Sequence, residues 1–284
     1  MRPKIALQYL LPHRLLSRVV YRATRWTWRP WKNFLIRRIV AGYDVDMSQA
    51  ADANPLSFAH FNAFFTRALK AGARPLDPDP LSLVSPADGR ISQAGIIEDG
   101  AIFQAKGRRY TVAELLAGDD AAVPYRHGRF ITIYLSPRDY HRVHMPLDGD
   151  LLSTRHVPGR LFSVAPFAVD GIPRLFARNE RLVCHFQGEH GPFAVILVGA
   201  MLVSSISTVW DGLVIPPYAK GIVDRDARTR DIHLRRGEEL GRFNMGSTVI
   251  VLVPDGRMEL EPGLTAHMPV QMGQRLGQQY RANP

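Results

Sequence analysis

The chain has 284 residues, 46% of them hydrophobic and 22% charged, with a formal net charge of +10. This composition is ordinary for a globular protein with a hydrophobic core and gives no indication of intrinsic disorder. The one cysteine, Cys184, excludes an intramolecular disulfide, so we expect a reducing compartment and a buried structural thiol.

The excess positive charge is concentrated at the N-terminus. Residues 1–40 contain ten Lys and Arg residues and no Asp or Glu. Removing these ten from the total of 36 leaves 26 basic residues, which equals the number of acidic ones. The body of the protein is therefore neutral, and the net charge belongs to the first forty residues.

The apolar residues of this basic segment recur at the helical period. Residues 12–26 place an apolar side (Leu15, Leu16, Val19, Val20, Ala23 and Trp26) opposite a basic side (Arg14, Arg18, Arg22 and Arg25). Pro30 interrupts the pattern, and a second stripe follows through Trp28, Trp31, Leu35 and Ile39. The pattern predicts a basic amphipathic helix followed by a second helix, with tryptophans that favour a headgroup interface.

Three interpretations of residues 1–40 compete: a peripheral membrane anchor, a nucleic-acid-binding arm, and helices packed on the protein's own core. No apolar stretch reaches the roughly 20 residues that span a bilayer, and a secretory signal is missing. Nucleic acid would explain the arginines but not the apolar side. We therefore expect membrane association and no nucleic-acid partner, and packing on the core can coexist with it.

The remainder, 41–284, is predicted to be one β-rich domain. Residues 41–56 read as a polar connector, and 55–70 as a helix with a core-facing row of phenylalanines (Phe58, Phe61, Phe64 and Phe65). Short strands are predicted at 83–97, 101–105, 129–135, 149–157, 181–187, 192–206, 220–224 and 247–253, with a helix at 111–117. This pattern indicates an α+β fold with a mainly antiparallel β core and an N-terminal helical segment. No nucleotide-binding or zinc-binding motif is present in the sequence.

A Gly-Ser-Thr sequence precedes the last long apolar run. Met245-Gly246-Ser247-Thr248 lies directly before residues 249–253. The Ser247 hydroxyl can attack the preceding carbonyl and convert the Gly246–Ser247 amide into an ester; β-elimination and hydrolysis then leave a pyruvoyl group on the new N-terminus. Taken alone, such small polar residues are also ordinary turn chemistry.

Four other segments give this motif its context. They read Phe-Asn-Ala-Phe-Phe-Thr-Arg at 61–67, Ser-Pro-Ala-Asp-Gly-Arg at 85–90, Tyr-Leu-Ser-Pro-Arg-Asp-Tyr-His-Arg-Val-His at 134–144 and Val-Gly-Ala-Met-Leu-Val at 198–203. Together with residues 245–248 they resemble the phosphatidylserine decarboxylase family. Met245 replaces the leucine of the family's Leu-Gly-Ser-Thr, a volume-conserving change, and Ser204 replaces the glycine expected in many relatives.

The resemblance implies a self-cleaving enzyme. Cleavage between Gly246 and Ser247 gives a β chain, 1–246, and an α chain, 247–284, that begins with pyruvoyl derived from Ser247. This covalent cofactor forms a Schiff base with phosphatidylserine, accepts the electrons released with CO2, and yields phosphatidylethanolamine. By resemblance, His144 is the base for self-cleavage, Asp88 orients it, and His141 handles the substrate after maturation.

The resemblance also implies an oligomeric state and a cellular location. We expect a homodimer of α/β heterodimers on the cytoplasmic side of the cell membrane, bound peripherally to its anionic surface. Three alternatives remain: a serine hydrolase with an intact Ser247-His144-Asp88 triad, a non-enzymatic membrane-binding β module, and a pyruvoyl decarboxylase of a soluble amino acid. Against the hydrolase, the sequence lacks the Gly-x-Ser-x-Gly elbow of one large class of serine hydrolases. Against a soluble amino acid substrate, the predicted membrane-binding segment argues for a lipid.

Overall fold

The computed structural model describes residues 3–201 and 205–280. Residues 202–203 of the predicted strand at 192–206, and the departure at Ser204, lie outside the described residues. The helices are α1 (Pro3–Leu10), α2 (His13–Ala23), α3 (Arg29–Tyr43), α4 (Phe61–Phe65), α5 (Val112–Leu116), α6 (Asp119–Ala122), α7 (Pro166–Val169) and α8 (Leu175–Arg178), with a 3₁₀ turn at Val123–Tyr125.

The strands outnumber the helices in the described residues. They are β1 (Ser82–Val84), β2 (Gly89–Ile96), β3 (Ala101–Ala105), β4 (Arg108–Thr111), β5 (Arg129–Tyr134), β6 (Arg142–His144), β7 (Gly149–Val157), β8 (Arg181–Gly188), β9 (Gly191–Val198), β10 (Ile206–Thr208), β11 (Gly212–Ile215), β12 (Val223–Asp226), β13 (His233–Leu234), β14 (Glu239–Phe243), β15 (Thr248–Val253), β16 (Met258–Leu260), β17 (Pro269–Val270) and β18 (Arg275–Gln279). The prediction of a mainly antiparallel β core is confirmed.

The largest sheet is antiparallel throughout and runs in the order β12-β7-β8-β9-β15-β5-β2-β17, with β13 also paired to β7. Its central strand β15 pairs with β5 on one side and β9 on the other. Because β15 is covered on both faces, its sequence is a continuous apolar run rather than an alternating one. Val249 and Val251 pack into one core, and Ile250 and Leu252 into another.

These two cores lie on opposite faces of the large sheet. The first contains residues of the smaller sheets β1-β18-β16 and β11-β10-β14-β6, including Leu83, Phe243 and Leu276. Cys184 on β8 belongs to it and is buried, as predicted, and burial raises the pKa of its thiol. The second core contains helical residues such as Leu115 and Phe176. The β10–β14–β6 sheet therefore packs against the large sheet and carries one of the histidines of interest.

The N-terminal helices pack on the body. Ile36 of α3 is buried against the predicted phenylalanine row, of which Phe61, Phe64 and Phe65 are buried as expected. Ile5 of α1 enters the second core. Helix α3 continues to residue 43, across the boundary expected at residue 40. Among the helices described here, no helix is both long and apolar enough to cross a bilayer.

Helix α2 presents an unusual set of faces. Its buried row is polar and consists of His13 and Ser17, continued by Thr24 beyond the helix end. Leu15 and Val19, on the opposite side, are 59% and 58% exposed. Leu16 and Val20 of the predicted apolar side are half-buried, so this side is turned partly outward, whereas a helix in a soluble protein normally buries it.

Several predicted elements differ from the structure. The strand predicted at 192–206 ends as β9 at Val198, and the strand predicted at 220–224 is found as β12 at Val223–Asp226. The helix expected at 55–70 is reduced to α4, which starts where the His60 ring accepts a hydrogen bond from Ala63 N and ends near Thr66, whose hydroxyl bonds back to the Asn62 carbonyl. The strand expected at 83–97 divides into β1 and β2 around residues 85–88, because Pro86 has no N–H for a strand ladder. This break creates the loop that carries Asp88.

Candidate active site

Ser247 lies at the entrance of the central strand. It is fully buried, and its hydroxyl donates a hydrogen bond to the carbonyl of Val198 at the end of β9. Its own carbonyl accepts a hydrogen bond from Leu135 N at 2.8 Å. The preceding residue has little room for a side chain, since a Cβ on Gly246 would lie 3.2 Å from the Leu135 carbonyl oxygen. Ser247 is therefore held by contacts to the main chain at the ends of two neighbouring strands.

His141 is the predicted histidine nearest to this peptide. The same Cβ position on Gly246 would lie 3.2 Å from His141 Nε2. The ring is fully buried against Phe65, with centroids 4.1 Å apart, and its Nδ1 lies 2.7 Å from the Asp139 carbonyl oxygen. A carbonyl can only accept, so Nδ1 carries the proton and Nε2 has a free lone pair.

The electrostatics of His141 favour a neutral ring. Its pKa is lowered to about 3, chiefly by burial; the hydrogen bond to Asp139 opposes this decrease, and the Arg67 charge adds a smaller contribution to it. Nε2 has no hydrogen-bond partner among the described residues. His141 is thus an unprotonated base whose lone pair faces the Gly246 side of the scissile bond.

His144 lies on β6 and has different partners. Its Nδ1 lies 2.8 Å from the Gly237 carbonyl oxygen and is therefore protonated. Its Nε2 accepts a hydrogen bond from the Tyr140 hydroxyl at 3.0 Å. Burial lowers the pKa of His144, and the charge of Asp88 raises it by less. In this arrangement the lone pair of His144 is bonded to Tyr140 and not to Ser247.

Asp88 lies in the loop between β1 and β2, next to His144: the Pro86 carbonyl of this loop accepts a hydrogen bond from His144 N at 2.8 Å. However, the Asp88 carboxylate bonds to Arg74 Nε at 2.8 Å and to Met272 N at 2.9 Å. Among the described contacts, the direct Asp88–His144 hydrogen bond expected from the sequence is not formed, because the Arg74 guanidinium offers the carboxylate two parallel donors.

The structure thus brings the four predicted residues into one region without joining them into a chain of hydrogen bonds. Ser247 and His141 lie at the scissile peptide, and Asp88 and His144 lie beside each other, with Tyr140 on His144. The roles of Arg74 and Tyr140 were not predicted. Tyr140 stands within the 134–144 motif, whereas Arg74 lies in a loop without a recognisable pattern.

A cavity of about 580 Å³ adjoins this region. It is bordered by Tyr134, which pairs with Thr248, and by Ser136, so it begins next to the Leu135 contacts of the scissile peptide. Its wall combines apolar side chains with two guanidinium groups, those of Arg90 and Arg138, and two carboxylates, those of Asp44 and Asp170. A cavity with this mixture can accept an amphipathic molecule whose head carries charges of both signs.

Comparison with known proteins gives a consistent result. A family model described as phosphatidylserine decarboxylase matches residues 61–278, and a model described as PSD matches residues 3–44. A phosphatidylserine decarboxylase proenzyme of Stenotrophomonas maltophilia is 56% identical over 279 residues, which cover 95% of this chain and 97% of the relative.

Two further relatives carry the same name. The proenzyme of Xanthomonas campestris pv. campestris is 56% identical over 272 residues, covering 95% of this chain and 96% of its own. That of Xylella fastidiosa is 53% identical over 277 residues, covering 98% and 94%. With a family model over most of its length and such relatives over nearly all of it, the chain belongs to the phosphatidylserine decarboxylase family.

Proposed function

We propose that this protein is a phosphatidylserine decarboxylase that cleaves its own chain between Gly246 and Ser247 and converts phosphatidylserine into phosphatidylethanolamine. The observation that carries the proposal, beyond family membership, is the position of this peptide. It enters the central strand in a buried setting, and the free Nε2 of the neutral His141 lies beside the position where the pyruvoyl group would form.

The surroundings of residue 247 fit a pyruvoyl group. When formed, this group supplies an electron sink for breaking the Cα–carboxylate bond, as pyridoxal phosphate does in other enzymes. The Leu135 N–H already donates to the carbonyl of residue 247 and would stabilise negative charge on that oxygen. The complete burial of Ser247 keeps bulk water away from the same position.

We assign Asp88 and His144 to self-cleavage and His141 to the mature reaction. His144 becomes available to the Ser247 hydroxyl when its Nε2 exchanges the Tyr140 hydroxyl for the serine, and the neighbouring Asp88 charge stabilises the resulting imidazolium. His141, with its lone pair at the scissile position, is placed to orient the substrate or to move a proton at its Cα.

The substrate is a membrane lipid, so we propose peripheral association with the anionic surface of the cell membrane on its cytoplasmic side. The outward apolar row of α2 supports this assignment. We also propose that two α/β heterodimers associate into a homodimer. Among the alternatives, an intact serine nucleophile gains no support, since Ser247 is fully buried and its hydroxyl bonds to a main-chain carbonyl.

Intact-mass measurement tests maturation. We expect the parent to split into chains of residues 1–246 and 247–284, the second beginning with pyruvoyl, whereas Ser247→Ala stays uncleaved and inactive. Asp88→Asn and His144→Ala should block cleavage. His141→Ala should be cleaved but should decarboxylate roughly 100-fold more slowly or worse, the usual range for loss of a general acid or base.

His127→Gln, at an exposed histidine outside the motifs, is the control and should behave like the parent. Active protein that remains uncleaved would refute the pyruvoyl proposal. A His141→Ala variant with parental turnover would remove His141 from the mature reaction and leave the rest of the proposal intact.

A further inference from the structure

A second groove, of about 680 Å³, lies far along the chain from the scissile peptide. It forms where the turn between α1 and α2 meets the segments after β7 and before β12, and its wall is made of residues 11–15, residues 158–160, Arg178 and Lys220. It shares no lining residue with the cavity beside Tyr134. Family membership gives this groove no role.

The charged residues of this groove are all basic. Arg14, Arg160, Arg178 and Lys220 line it, and no Asp or Glu is among its described lining residues. The two central arginines bond to neutral groups: Arg160 donates to the Tyr9 carbonyl at 2.8 Å, and Arg178 to the Tyr9 hydroxyl at 3.2 Å. Their positive charge is therefore left for an anion. Three of the four cations come from the body, outside the basic N-terminal segment.

His13, which lines the groove, adds an unpaired donor. Its Nδ1 accepts a hydrogen bond from Leu161 N at 3.3 Å, so the ring proton is on Nε2. This Nε2–H is buried and has no partner among the described residues, although buried polar groups are ordinarily bonded. His13 also begins α2, where Pro12 provides no side-chain cap and no acidic residue occupies the first turn. Such a helix start favours an anion.

The rim of the groove is apolar and exposed. Leu10 is 82% exposed and Leu15 is 59% exposed, and Leu15 lines the groove itself. A soluble anion would need the cations but not these leucines. A phospholipid needs both, because its phosphate lies at the headgroup level while its acyl chains lie beside apolar side chains.

We propose that this groove binds the phosphate of an anionic phospholipid of the bilayer, separate from the phosphatidylserine molecule at the reaction site. The inference rests on the membrane association proposed above. It also explains why α2 turns a polar row inward: His13 lies at the lipid site, and the apolar row on the other side of the helix faces the bilayer.

The lipid site and the scissile peptide are linked through α2, which spans about 16 Å at 1.5 Å per residue. At its far end the Thr24 carbonyl accepts a hydrogen bond from Asn62 N at 2.9 Å. The Asn62 side chain in turn donates to Asn244 Oδ1 at 3.0 Å, two residues before Gly246. A lipid held at one end of α2 therefore orients the reaction site, at the other end, toward the same membrane surface.

The test compares two variants that each remove two positive charges. Arg14→Gln/Lys220→Gln removes charges from the groove, and Arg37→Gln/Arg38→Gln removes exposed charges of α3 outside it. Binding is measured by flotation with phosphatidylcholine vesicles containing phosphatidylglycerol, an anionic lipid that is not the substrate. We expect the groove variant to bind roughly tenfold more weakly than the control variant, since it loses hydrogen-bonded as well as diffuse attraction.

Equal losses in the two variants would overturn the proposal, because they would show diffuse attraction by the basic segment. Failure of the parent to bind these vesicles would also overturn it. A groove that binds inorganic phosphate, with vesicle binding unchanged in the groove variant, would assign the site to a soluble phosphate and refute the lipid. Lys220→Glu alone, at an exposed loop residue, provides a second variant if the double one is poorly folded.

Self-cleavage of every variant, measured by intact mass, reports folding. Turnover of a soluble short-chain phosphatidylserine tests the proposed function independently of the groove. An inactive parent that still binds vesicles through the groove would refute the proposed function and not the lipid site.

Discussion

At the residue scale, two histidines three positions apart differ in what their free nitrogen contacts. The ring of each is fixed by a main-chain carbonyl at Nδ1, from Asp139 for His141 and from Gly237 for His144. The Nε2 of His144 is bonded to Tyr140, whereas the Nε2 of His141 is free and faces Gly246. The lone pair of His144 is thus occupied by a hydrogen bond, whereas the lone pair of His141 is free and lies beside Gly246.

The burial of His141 predicts an acid-sensitive proenzyme. Its pKa is about 3 in the folded chain, against an ordinary 6.5, so below pH 6.5 the unfolded chain binds a proton that the folded chain does not. The free energy of unfolding is therefore unaffected by the titration of His141 above pH 6.5 and decreases as the pH falls from 6.5 toward 3. At pH 5 the loss amounts to about 2 kcal/mol.

Urea unfolding of uncleaved Ser247→Ala protein at pH 7 and pH 5 measures this loss. Adding His141→Gln should make the decrease between the two pH values smaller, while His127→Gln is the matched substitution at an exposed histidine. Other buried histidines, such as His144, contribute the remaining decrease. An identical decrease with and without His141 would contradict the expectation.

At the element scale, α2 lies between the groove at His13 and the Asn62–Asn244 contact near the candidate active site. Its inward row is polar and contacts the body through His13 and Thr24, while Leu15 and Val19 face outward. The element was predicted correctly as a basic amphipathic helix, but the side that packs on the protein is neither the apolar nor the basic one. A helix of this kind is stabilised by polar contacts to the body, and its exposed apolar side chains support the proposed membrane association.

Truncation should separate membrane binding from catalysis. Removing residues 1–40 should reduce turnover of long-chain phosphatidylserine in vesicles far more than turnover of a soluble short-chain analogue, because the scissile peptide lies in the body. High salt should weaken vesicle binding of the parent but not abolish it, since screening acts on the arginines and not on the leucines. Equal losses on the two substrates would instead show that Ile5 and Ile36 make the segment part of the fold.

At the scale of the whole molecule, the proposed cleavage between Gly246 and Ser247 would cut the chain just before its central strand. β15 remains paired with β5 and β9 and contributes side chains to both cores, and β18 pairs with β1 and β16. The short chain therefore holds the middle of the fold through contacts that do not depend on the peptide bond before Ser247.

We accordingly expect the two chains of the cleaved protein to remain associated without a covalent link. Size-exclusion chromatography in increasing urea should show them eluting together until the protein as a whole unfolds, as followed by circular dichroism. The uncleaved Ser247→Ala protein gives the reference midpoint. Release of the short chain while the β-sheet signal is unchanged would contradict this expectation.

The sequence by itself determined the longer strands and helices α2 and α3, and it predicted the reacting peptide. Continuous apolar runs predicted the central strands, helical periodicity predicted the N-terminal helices, and Gly246-Ser247 was identified from its motif, because these signals depend on neighbouring residues. The tertiary structure decided which histidine faces Gly246, that Arg74 holds Asp88, and that the apolar side of α2 points outward. These features depend on contacts between distant segments, where a loop displaced by an ångström or two changes the hydrogen-bond partner, and sequence periodicity carries no information at that distance.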